Sequence, residues 1–219
     1  MTGEPIQFES KYTILPGVLS HRDVIAIKNE PMFYRADVKY AVEHGGPITQ
    51  EFINLLPSDW KNTNLLIDSR SHMLMPGWYP CIPGWHLDDV PRTRPDGQPD
   101  HLNPAYRAEH IMAVIGDCSL TSFLVGRVVM YDVPNGEGVV YKIWNNRINK
   151  YLEYVPRAEK QIPPNRLIQF NWQSFHKGNP AKTAKWRWFV RATRYSQLPV
   201  ENEIRKQVQV YLPALEGGW

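Results

Sequence analysis

From residue 63 the chain alternates between short apolar or aromatic runs and clusters of Gly, Pro and Asn. The runs NLLIDSRSHMLM (64–75), HIMAVIG (110–116), SLTSFLVG (119–126), VVYKIWN (139–145), RLIQFNW (166–172) and WRWFVRATRY (186–195) are rich in β-branched and aromatic residues. Runs of this length between turn formers predict antiparallel strands. Upstream the texture is helical. SHRDVIAIKNE (20–30) predicts a short helix with Ser20 as its cap, and PITQEFINLL (47–56) a second with Pro47 near its start. The fold class expected is mainly β: a jelly-roll or related barrel over 63–195, a helical N-terminal part over 1–62 and an extension over 196–219, in one domain. RPDGQPDHLNPAYR (94–107) is an irregular loop long enough to act as a lid. VENEIRKQVQVYLP (200–213) is compatible with a helix or an extended segment.

Composition supports this picture. Nineteen prolines in 219 residues disfavour long helices. No run of eighteen apolar residues predicts a membrane span, and the first residues lack a basic stretch followed by an apolar one. Cys81 and Cys118, the two cysteines, are too few for a disulfide framework, so a reducing, cytoplasmic setting is expected. Charge is uneven. Residues 140–195 hold 12 Lys/Arg against 2 Asp/Glu, whereas residues 1–139 hold 11 against 17. The basic block suits an anionic ligand, nucleic acid included, or equally a solvated face balanced by the acidic half.

The candidate chemistry starts in PGWYPCIPGWHLDDVPR (76–92). Two His-x-Asp pairs occur, His21/Asp23 and His86/Asp88. Residues two apart diverge on a helix and share a face on a strand. His21/Asp23 is therefore read as a helix start, and His86/Asp88 as two ligands for one ion. His176, in IQFNWQSFHKGNP, is the third candidate. Two histidines and one carboxylate with open positions make the facial triad of non-haem Fe(II) oxygenases. His72 is the rival ligand, His101 and His110 are read as structural, and Asp89 is expected to point away from Asp88. In the last run Arg187, Phe189 and Arg191 alternate with Trp186, Trp188 and Val190, so two guanidiniums share a face. Such a face suits a carboxylate.

On these residues the chain resembles the Fe(II)/2-oxoglutarate-dependent dioxygenases. Their double-stranded β-helix carries His-x-Asp, a distal His and a following Arg, here His86-Leu87-Asp88, His176 and Arg187. The resemblance covers roughly residues 63–195 and identifies no subfamily. It implies Fe(II) on the triad, 2-oxoglutarate as co-substrate with its distal carboxylate on Arg187, help from Arg191 toward co-substrate or substrate, and a supporting hydroxyl at Thr121. O2 would be the oxidant. IPGWHLDDVPR also resembles an element of phage-type proteins. The substrate is a small molecule or a nucleic acid. Trp85 and Trp172, with Trp78, flank the triad and could stack on a flat target such as a nucleobase, or belong to the core. Two other classes stay open: a cupin-like metalloenzyme without 2-oxoglutarate, and a non-catalytic jelly-roll binding or structural module. Oligomeric state has no signature.

Overall fold

The computed structural model describes residues 3–212. In chain order the elements are β1 (Pro5–Ser10), β2 (Tyr12–Val18), α1 (Val24–Asn29), β3 (Phe33–Tyr34), α2 (Val38–His44), α3 (Pro47–Leu55), α4 (Ser58–Lys61), β4 (Leu65–Leu74), β5 (Glu109–Ile115), β6 (Thr121–Leu124), β7 (Gly126–Tyr131), α5 (Val140–Tyr154), β8 (Glu159–Gln161), β9 (Arg166–Asn171), β10 (His176–Gly178), β11 (Lys185–Arg194) and β12 (Glu203–Ile204). The protein is mainly β, and all its strand pairs are antiparallel.

The main sheet has the order β2-β9-β5-β11-β4. Both of its faces are covered, which explains why its strands read as nearly continuous apolar runs. On β11, Trp188, Val190 and Ala192 are fully buried toward the helices, joined there by Ile67 of β4, Ile111 and Ala113 of β5, and Phe52 and Trp60 of the helical layer. The opposite face of the sheet meets a smaller one, β10-β6-β8, through Met112, Val114, Phe123, Ile168 and Phe170. Beside this pair of sheets, α5 and the β1-β7 pair close over Trp85, Tyr106, Trp144 and Phe175.

Several expectations are corrected. VVYKIWN is not a strand but the start of α5. Val140, Tyr141, Trp144 and Ile148 are its buried residues, a helical spacing hidden in a short window of β-formers. The N-terminal part is not purely helical, because β2 joins the main sheet and β1 pairs with β7. The cap of α1 is Asp23, which accepts from the Ala26 amide at 2.8 Å; Ser20 instead gives its hydroxyl to Glu51 at 2.6 Å. Helix α3 starts at Pro47 as expected. The 94–107 loop is no free lid: His101 and Tyr106 are buried in the aromatic cluster, and Arg94 is held by Asp132 and Asp96. The extension runs extended, pairing β12 with β3 and bridging Tyr211 to Tyr79; residues 213–219 lie outside the described residues.

Candidate metal and anion site

His86 and His176 face each other in a one-residue antiparallel bridge. The His86 amide donates to the His176 carbonyl at 3.0 Å, and the reverse bond measures 3.1 Å. This bridge adds the His86 segment to the small sheet beside β10. Asp88 follows, and its backbone is anchored from outside: the Tyr106 hydroxyl donates to the Asp88 carbonyl at 2.9 Å, and Tyr141 to that of Leu87 at 2.9 Å. Candidate ligand atoms of His86, Asp88 and His176 all lie within 4.8 Å of one another.

The tautomers follow from the backbone. His86 Nδ1 lies 3.0 Å from the Gly84 carbonyl, and His176 Nδ1 lies 3.0 Å from the Ser174 carbonyl. A carbonyl only accepts, so each Nδ1 carries a proton, and in the neutral ring each Nε2 presents a lone pair. His176 Nε2 stands 3.1 Å from Asp88 Oδ2, a gap that a shared proton or a divalent cation can bridge. The donor set and its fixed tautomers fit a divalent metal. Burial first, then the charge of His176, pushes His86 down to about 4, which keeps its ring neutral and able to bind a cation at neutral pH. Burial alone would raise Asp88, but Arg191 and His176 outweigh it and hold its carboxyl well below the usual range.

The triad opens into a cavity of about 160 Å³ between the two sheets. Its walls include Asp68, Arg70 and His72 of β4, Met112 of β5, Thr121 of β6, His176 and Gly178 of β10, and Arg187, Phe189 and Arg191 of β11. The alternation expected for β11 holds in space. The two arginines differ in their partners. Arg187 is 3 % exposed and donates from Nε to the Ser119 carbonyl at 2.7 Å. It has no carboxylate partner among the described residues. Burial first lowers its pKa to about 10. Arg191 is not free in this way. It is bonded to Asp88 and lies 3.4 Å from Asp89 and 3.5 Å from Asp68.

Other placements depart from expectation. Asp89 has φ of 56°, so its carboxylate turns back toward Arg191 and Ser196 rather than away from Asp88. His72, the rival ligand, sits opposite Arg187 in the β4-β11 register and outside the metal-ligand group. Trp85 is fully buried, with its Nε1 donating to Asn149 and Lys177 lying 4.4 Å from its ring centroid, so it has no face for a target. Trp172 is half-buried, with Tyr106 edge-on and Arg107 4.9 Å from its ring centroid. Neither tryptophan lines the cavity. Asp68 and Arg70 are cavity residues that no motif points to; their signal is the alternation of polar residues inside LLIDSRSHML, which marks a polar cavity face.

Comparison with known proteins gives little. No family model matches the chain, and no curated protein matches it. Among solved structures, it is similar to two of EvdO2 from Micromonospora carbonacea var. aurantiaca, one of them complexed with 2-oxoglutarate. Identity is 14 %, the TM-score 0.38, and the complexed form is covered over 80 % of this chain and 72 % of that one. A non-heme monooxygenase, ThoJ in its apo form, aligns at 9 % identity and TM-score 0.36, over 85 % of this chain and 74 % of that one. Overlaps this loose transfer no residue role and no ligand. No helix among the described residues is long and apolar enough to cross a membrane.

Proposed function

We propose that the protein is an Fe(II)- and 2-oxoglutarate-dependent oxygenase built on a double-stranded β-helix, with a substrate yet to be identified. One observation carries the reading: a two-histidine, one-carboxylate group and a buried Arg187 without a carboxylate partner share one cavity. An unpaired buried cation is costly, so the site is built for an anion. In this reading His86, Asp88 and His176 hold the metal. Arg187 takes the far carboxylate of a co-substrate that chelates the metal at its other end, and Thr121 lines the same space. Arg191 holds Asp88 in place rather than gripping a ligand. When bound, iron and 2-oxoglutarate supply oxidation by O2, giving succinate, CO2 and a hydroxylated target. The sheet order supports the fold: β4-β11-β5-β9 faces β10-β6-β8, and the His86 bridge extends the smaller sheet.

The unpartnered Arg187 favours this reading over a cupin-like metalloenzyme that uses no 2-oxoglutarate, which needs no carboxylate clamp. With Trp85 enclosed, stacking on a nucleobase loses one of its supports, and a small-molecule target is favoured. The test is an anaerobic titration with Fe(II) and then 2-oxoglutarate, followed by visible absorbance. A weak charge-transfer band that requires both additions and is lost in His176→Ala supports the oxygenase. Fe(II) binding with no response to 2-oxoglutarate sinks it in favour of the cupin-like class.

A further inference from the structure

The cavity holds more positive charge than its own carboxylates answer. Its acids are Asp68 and Asp88, with Asp89 just behind; its cations are Arg70, Arg187 and Arg191, with Arg205 at its side. Arg191 is shared among all three acids, and Arg205 lies 3.4 Å from Asp68. Arg187 and Arg70 are left. Among the described residues neither has a carboxylate partner, and the Arg70 side chain has no hydrogen bond.

These two arginines hold diagonal positions on adjacent strands, on one face of the main sheet. In the β4-β11 register His72 stands opposite Arg187, and Arg70 opposite Phe189, so Arg70, His72 and Arg187 occupy adjacent positions facing the cavity. Burial lowers the pKa of Arg187, the nearby Cys81 and Cys118 thiols oppose this, and the charge of Arg70 adds a smaller lowering. His72 is driven down to about 3 by burial, then by Arg187 and Arg70, and neither ring nitrogen has a side-chain partner. Arg187 is buried and Arg70 half-buried beside it; like charges side by side repel, and they are tolerated where an anion completes the group.

The geometry points to one anion for both arms. Arg187 spends Nε on Ser119, so only its terminal nitrogens face a ligand. A carboxylate offers about four lone-pair sites, and one end-on guanidinium fills two of them. Building on the oxygenase reading above, we propose that Arg70 is the second arm of the co-substrate clamp, so that Arg70 and Arg187 together grip the distal carboxylate of 2-oxoglutarate beside neutral His72. It follows that a 2-oxo acid lacking that carboxylate gains nothing from either arm.

The test is calorimetric titration of the full chain, loaded anaerobically with Mn(II), using 2-oxoglutarate and pyruvate as probes. Arg70→Ala is expected to weaken 2-oxoglutarate about tenfold or more, the size of one lost charge-assisted contact, and to leave pyruvate unchanged. Arg70→Lys should regain part of the loss. Should Arg70→Ala not fold, Arg70→Gln keeps length and polarity and serves the same comparison. Unchanged 2-oxoglutarate binding in the Arg70 variants overturns the second arm and leaves the oxygenase reading standing. Wild-type protein that binds Mn(II) but neither oxo acid overturns both.

Discussion

His86 and His176 exchange two backbone hydrogen bonds, and that bridge sets their rings 4.6 Å apart between centroids. The two imidazoles are thus positioned by main chain rather than by side-chain packing alone. Removing one imidazole leaves the bridge in place. His176→Ala should keep the fold, as read by circular dichroism, yet weaken Mn(II) binding by more than about 100-fold, beyond the loss typical of an outer-shell change. Equilibrium dialysis against Mn(II) measures this. Near-native affinity in the variant would show that His176 is not a ligand.

Among the described residues Arg191 is the guanidinium bonded to Asp88, and it also lies against Asp89 and Asp68. Arg191→Met should therefore destabilise the metal-free protein by about 3–5 kcal/mol, the cost of stranding buried charge. A divalent ion replaces part of the missing positive charge. The rise in melting temperature on adding Mn(II) should be larger in the variant than in the wild type, and an equal rise would argue against coupling between Arg191 and the ion site.

Gly178 ends β10, two positions after His176. A Cβ there would lie 2.6 Å from Cys81 Sγ and 3.3 Å from Pro80. Gly178→Ala should cost about 1–3 kcal/mol in urea unfolding, as overpacking does. Adding Cys81→Ala removes the clashing sulfur, so the double variant should recover part of the loss. Strict additivity would show that the strain lies elsewhere.

Acid stability follows from buried neutral rings. Burial first holds His86 at about 4 and His72 and His101 at about 3, all below 6.5 in the unfolded chain. As pH falls below 6.5 the unfolded chain takes up these protons before the folded one does. Stability is thus full above 6.5 and declines toward pH 4, by about 1.4 kcal/mol per pH unit for each ring. His101 sits among Phe8, Tyr106, Tyr141 and Trp144. His101→Phe should flatten the decline by one ring's share in urea unfolding of metal-free protein at pH 7, 6 and 5. An unchanged slope would mean His101 does not stay neutral.

The sequence carries the strands wherever both faces of a sheet are covered, because burial on two sides leaves an apolar run bounded by turn residues. It hides α5, where a few β-branched and aromatic residues imitate a strand until the spacing of Trp144 and Ile148 is followed further. The candidate ligand group is legible because His-x-Asp is local; His176, expected just after the run that forms β9, instead opens a separate strand, β10, in the smaller sheet. What sequence spacing cannot convey is which cations already have partners. Arg191 looks like a clamp until Asp88, Asp89 and Asp68 are seen around it. The turn of Asp89 toward Arg191 depends on a left-handed backbone that strict strand alternation does not anticipate.

Strand β11 lies between β5 and β4 in the main sheet, although it follows both in the chain. During synthesis, therefore, β4 and β5 leave the ribosome with the facing edges of each unpaired, and no local hairpin can join them. The nascent chain carries those open edges until β11 is made, a period in which edge-to-edge association with other chains competes with folding. The same insertion delivers Arg187 and Arg191, so the basic wall of the cavity is complete only once the sheet is sealed.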